Sequence, residues 1–182
     1  MNKLLKNSSI FGSLAAINSF IFFYFILTIG VYPFSNIHLA ELLIFALFIF
    51  LGVFQYRTLL QNKKFHFAQG VVAGLFTAAI GVVIYAILMY IFLQFLMPKV
   101  LDFHIATMKT NLIADKANLV KMLGKDAFDG TLKGLESTTA SSIALDELMK
   151  KMFFCFMPSI LAAVIARRSD EEIVPLNNPH KK

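Results

Sequence analysis

FHFAQGVVAGLFTAAIGVVIYAILMYIFLQFLM, residues 65–97, decides the fold, because from Gly70 to Met97 it carries no charge and only Thr77 and Gln94 are clearly polar. A helix needs roughly 20 apolar residues to cross a hydrocarbon core ~30 Å thick, and this run exceeds that. It predicts a membrane span near 68–97, long enough to be tilted or to project beyond the bilayer. Gly70, Gly74 and Ala78 recur on one face at four-residue spacing, with Thr77 and Gly81 beside them. Such a stripe lets a second helix approach the backbone closely.

The rest of the chain agrees with this class. Of its 182 residues 58% are hydrophobic, and the mean hydropathy is +0.70. Soluble domains stay near 45–50% apolar, so the chain is expected to be an all-α integral membrane protein. Its net charge of +6 comes from 17 Lys and Arg against 11 Asp and Glu. Much of that positive charge flanks apolar spans, where membrane lipids and topology account for it and nucleic acid does not. The single cysteine, Cys155, has no internal partner and lies in an apolar run, where a thiol behaves as a small hydrophobe.

Working outward, Ile10–Tyr32 is uncharged and follows Lys3 and Lys6. It is too long for the 7–15-residue core of a signal peptide and reads as a retained first span, near 10–32. Ser8, Gly12 and Ala16 form a second small stripe, so the first and third spans are expected to pack through their small faces. Pro33 is expected to end that helix and to open a tight turn into a second span near 39–56. The basic loop containing Arg57, Lys63 and Lys64 then leads back to the third span.

Beyond Pro98, the spacing of Leu101, Ile105, Met108 and Leu112 predicts an amphipathic helix ending near Gly124. The stretch DAFDGTLKGLESTTASS reads as a loop, from its glycines and hydroxyl cluster. The last apolar run, Met152–Ala166, is short for a span and requires a start near Ser142 or Ala144, with Leu145 and Leu148 adding apolar surface and Lys150 and Lys151 snorkelling to the interface. This gives a fourth span near 145–166, and residues 169–182 read as a disordered tail. Lys3, Lys6, Arg57, Lys63, Lys64, Arg167, Arg168, Lys181 and Lys182 flank one side of the bundle, against Lys99, Lys109, Lys150 and Lys151 on the other. The positive-inside rule therefore places both termini in the cytoplasm and segment 98–144 outside.

Candidate chemistry is sparse. His38 and Glu41 have the spacing of two metal ligands, but nothing nearby completes a set, so no metal and no cofactor is expected. Glu41 is better read as an acid complementing the positive end of the second helix. His66 and His104 are isolated. Asn18, Ser19, Thr28, Thr77 and Gln94 can line a polar path, although hydrogen bonding between helices explains them as well. Gln94, beside the carbonyls freed by Pro98, is the polar residue best placed for transport. No nucleophile–base–orienter set, phosphate loop or paired-cysteine motif is present in the sequence, so no catalytic residues and no enzyme are expected.

The hairpin of two spans, the stretch FHFAQGVVAGLFTAAIGVVIYAILMY, the proline at 98 and the charged, methionine-bearing segment before a last span ending in Arg167 and Arg168 resemble one family. It is the small four-span bacterial membrane proteins called domain of unknown function 4199. The resemblance covers nearly the whole chain and implies the inner membrane of Gram-negative bacteria; it carries over no activity and no functional residue. The expectation is a single membrane domain over 1–182, a four-helix bundle with an extracytoplasmic amphipathic helix between spans three and four. The expected function is that of a non-enzymatic interaction or accessory protein, with a small transporter or channel as the alternative. Gly12, Ala16, Gly70, Gly74, Ala78 and Gly81 are the packing residues, Gln94, Glu41 and His38 the polar candidates. The expected partners are membrane lipids and another membrane protein or a second copy of the chain.

Overall fold

In a bilayer every backbone polar group must be satisfied within the protein, and helices do this most simply. The computed structural model describes residues 2–31, 34, 38–60 and 65–167, and these are almost entirely helical. The helices are α1 (Asn2–Thr28), α2 (His38–Leu59), α3 (Phe67–Ile91), α4 (Pro98–Ala114), α5 (Lys116–Leu123), α6 (Lys125–Glu136) and α7 (Ala140–Ala166), with a π-helical turn at Phe92–Leu96. Four segments are long and apolar enough to cross a membrane, Lys3–Thr28, Ala40–Leu59, Phe67–Leu96 and Ala140–Ala166. The chain divides into two compact units, Met1–Tyr85 with Lys150–Lys182, and Ala86–Met149.

Local chemistry sets the helix ends. The first helix stops before the proline expected to end it, at Gly30, whose φ is +76°. There Gly30 N–H donates to Leu27 O and Val31 N–H to Ile26 O, a Schellman closure that only a left-handed residue permits. Pro33 itself lies outside the described residues. The last span begins five residues before the predicted 145, because Thr139 and Ser142 form a reciprocal cap. Thr139 Oγ1 accepts from Ser142 N–H at 3.3 Å, and Ser142 Oγ accepts from Thr139 N–H at 2.9 Å. Part of the hydroxyl cluster expected to be loop is thus the signal that starts α7.

In the first unit α3 lies against the three other long helices. A Cβ built on Gly81 would stand 2.8 Å from Gly12 O, and one on Gly12 would stand 2.7 Å from Thr77 O. Gly52 brings α2 to the same place, where a Cβ built on it would stand 3.1 Å from Thr77 Oγ1. Nearer its start α3 meets α7: a Cβ built on Gly70 would stand 2.8 Å from Ala163, and one on Gly74 2.8 Å from Ser159 Cβ. The small stripe of α3 is therefore shared between two neighbours, where one partner, α1, was expected. Ala16 and Ala78 are fully buried. Asn7 Nδ2 donates to Gly52 O at 2.8 Å and ties the start of α1 to the end of α2, as an antiparallel hairpin requires.

The outer surface of the long helices is apolar where that of a water-soluble protein would be polar. Leu43, Leu47 and Leu51 on α2 and Phe153, Met157 and Leu161 on α7 point outward, while Asn7, Ser8, Ser19, Glu41, Thr77, Lys151 and Ser159 are buried. Rows of large apolar side chains facing outward at four-residue spacing, with polar and charged groups buried among the apolar core, fit a hydrocarbon solvent, not water.

In the second unit, Met97 N–H reaches back five residues to Phe92 O at 2.8 Å. Pro98 has no N–H to continue the ladder, so it opens α4 at the position where proline is tolerated. The single helix predicted to end at Gly124 is divided at Asp115, whose carboxylate accepts from Asn118 Nδ2 at 2.7 Å. Gly124, with φ +87°, separates α5 from α6. Residues 126–136, read from sequence as loop, are helical despite Gly130 and Gly134, with Phe128 buried and the Lys116 ammonium 5.5 Å from its ring centroid. Lys109 donates to Glu136 Oε1 at 2.7 Å, and that hydrogen bond, with the lysine charge, holds the carboxyl below its ordinary range. Both groups are solvated, so the pair adds little to stability.

Two glycine substitutions separate packing from propensity. Gly81→Ala drives a methyl into the α1 backbone and is expected to destabilise the purified protein by about 1–3 kcal/mol in detergent unfolding titrations. Gly130→Ala meets nothing within 4 Å. It is expected to stabilise α6 by about 0.5–1 kcal/mol, read as slower amide exchange over 125–136.

Candidate functional site

Ionisable residues at membrane depth are costly, and where they occur they are paired and turned inward. The first unit contains such a group. Glu41 in the first turn of α2 is 1% exposed, Lys151 on α7 is 3% exposed, and Tyr85 on α3 is 1% exposed. Lys151 Nζ stands 2.8 Å from Glu41 Oε2, and the Tyr85 hydroxyl donates to the same oxygen at 2.9 Å. The ammonium also lies 4.2 Å from the Tyr85 ring centroid, and Phe45 meets that ring edge-on at 6.1 Å. Three helices thus supply a carboxylate, a cation and a phenol that serves both charges, as acceptor face for one and donor for the other.

Each side chain arrives there by helical register. On α2, Glu41, Phe45, Ile49 and Val53 follow one another at four-residue spacing and are all buried. On α7, Lys151, Cys155 and Ser159 do the same, and Ser159 Oγ donates to Cys155 O at 2.8 Å. Pro158 sits within this helix without ending it.

Sequence reasoning placed Glu41 at the positive start of α2, at the outer interface, and Lys151 at the interface beside Lys150. Glu41 does lie in the first turn of α2, and it is buried there. The structure corrects the lysine: Lys150 is exposed, whereas Lys151 is buried against the acid. The spacing Lys151–Cys155–Ser159, preceded one turn earlier by the buried Glu147, was the sequence signal for an inward polar face. It was hidden because the two lysines are adjacent and only one of them belongs to that face. Of the other polar candidates, Gln94 is exposed on the π-helical turn of the second unit. His38 begins α2, and its side chain lies outside the described residues. Among the described residues no three His, Cys, Asp or Glu side chains converge as a metal site.

The four long apolar helices and the ion pair turned inward among them define a multi-pass α-helical membrane protein. The chain belongs to the family described as Protein of unknown function (DUF4199), whose model matches residues 10–168. No curated protein and no solved structure matches it.

Removing one partner of a buried pair strands the other charge. Lys151→Met is therefore expected to destabilise the protein by about 3–5 kcal/mol in detergent, with Glu41→Gln added to it restoring most of the loss. Tyr85→Phe, which removes one hydrogen bond to a charged acceptor, should cost about 1.5–3 kcal/mol by the same measurement.

Proposed function

We propose that this is a non-enzymatic accessory protein of the bacterial inner membrane, with both termini in the cytoplasm, whose helices between the third and fourth spans bind another membrane protein. The observation that carries this reading is the surface of α4 and α5. Among the described residues neither helix buries a side chain, yet Phe103, Met108, Ile113, Met122 and Leu123 are all exposed. Apolar surface of this kind outside the spans calls for cover. The small-residue stripes, the other expected contact surface, are taken up within the chain at Gly12, Gly70, Gly74 and Gly81. The excess of Lys and Arg beside residues 3–6, 57–64 and 167–168 supports the orientation.

The Glu41–Tyr85–Lys151 cluster favours a second reading, a small transporter, since charge inside a bundle is a common feature of ion and proton pathways. Under that reading, flux in proteoliposomes disappears in the Lys151→Met, Glu41→Gln double variant although the protein stays folded. Under the first reading the double variant keeps its partner.

A photo-crosslinking residue in place of Met122 is expected to give a discrete protein adduct in native membranes, whereas the same residue at Leu47 gives lipid adducts alone. Lipid adducts at both positions would remove the support for a protein partner. For topology, Ser137→Cys in a Cys155→Ala background should react with an impermeant maleimide in intact cells and Thr58→Cys should not. The opposite labelling reverses the orientation.

A further inference from the structure

We propose that the cleft between the start of α1 and the end of α2 binds one anionic phospholipid, its phosphate between Lys3 and Lys6 and an acyl chain along Ile10 and Phe11. The cleft has a volume of about 430 Å³; Asn7, Gln55 and Leu59 complete its lining. A smaller cavity of about 250 Å³ shares Phe11 and Gln55 with it and adds Arg57, whose Nε is buried without a hydrogen-bond partner among the described residues. The lysine-lined cleft is thus bordered by a guanidinium nitrogen for which the described residues supply no acceptor.

The pattern along α1 selects the ligand. Lys3, Lys6 and Asn7, and Ile10 lie three or four residues apart on one helix face, so the lining changes from charged to apolar within about 10 Å of helix. A phospholipid has the same polarity profile over the same distance. A soluble anion would leave the apolar part of the cleft without a partner, and a zwitterionic headgroup would add a cation beside two lysines. Ile10 continues into the exposed row Leu14, Ile17 and Ile21, a path on which the rest of the chain can lie. The volume is within the roughly 300–1,000 Å³ of ligand sites and accommodates a headgroup with the top of one chain, not two whole chains.

The test is native mass spectrometry of the full-length protein in detergent, with phosphatidylglycerol and phosphatidylcholine of identical acyl chains in competition. Phosphatidylglycerol is expected to be retained preferentially. Each lysine near an anionic surface is worth about fivefold in affinity, so Lys3→Gln with Lys6→Gln should weaken its binding by about 25-fold and leave phosphatidylcholine binding unchanged. Lys3→Arg with Lys6→Arg should keep the preference, which separates lost charge from lost folding. Lys99→Gln should also keep it, since that residue is outside the cleft. Equal retention of the two lipids, an unaffected glutamine variant, or an equal loss in Lys99→Gln overturns the proposal. Displacement of the lipid by millimolar inorganic phosphate would show a free-anion site and overturn it as well.

Discussion

The closest constraint in the molecule is the approach of backbone to backbone along α3. Gly81 against Gly12 and Gly70 against Ala163 leave no space for even a methyl group, so α1 and α7 are held where dispersion contacts are densest. Lipid tails are as apolar as leucine, and burying leucine between helices therefore gains little inside a bilayer. Close packing of small residues has to supply much of the attraction. That requirement explains why Gly, Ala, Ser and Thr line the contacts between helices of the first unit while leucines such as Leu43, Leu47 and Leu51 point outward.

Once α3 has drawn α2 and α7 to itself, the Glu41–Lys151 pair forms without a long reach from either side chain. Such a pair gains little stability relative to a well-packed apolar replacement, because both ions have lost their hydration. Its stronger effect is on register: sliding α7 by one turn would put Glu147 or Cys155 where Lys151 stands, leaving Glu41 buried and uncompensated. The glycine contacts tolerate no added bulk but say little about which turn of α7 faces which turn of α2. The ion pair makes that choice, and Tyr85 on the central helix ties the selected arrangement back to α3.

Most of the bundle was legible in the sequence because length and polarity dominate in a membrane. Four apolar runs and two small-residue stripes required no tertiary information. The errors occurred where a residue type has two physical uses. Gly130 and Gly134 suggested a loop, yet α6 forms around the buried Phe128 and glycine only weakens a helix. Pro33 suggested a helix end, yet Gly30 ended the helix first. Glu41 was consistent with a helix-dipole role, and only the distance to Lys151, 110 positions away in sequence, distinguishes that role from a buried pair. Pairings at such separation leave no periodic trace in a single chain.

The π-helical turn at Phe92–Leu96 introduces a phase change. One wide turn holds an additional residue relative to an α-helix, so the faces that follow are rotated by about 100° from where an unbroken α3 would have put them. Met97, at φ −139° and ψ 66°, then leaves the helical ladder, and Pro98 begins α4 from that break. A chain shorter by one residue between 92 and 96 could close the turn with ordinary α-helical bonds, but it would re-aim the side chains of the turn itself. Which of them are buried, as Phe92 and Leu93 are, is therefore encoded in the count of residues as well as in their kind.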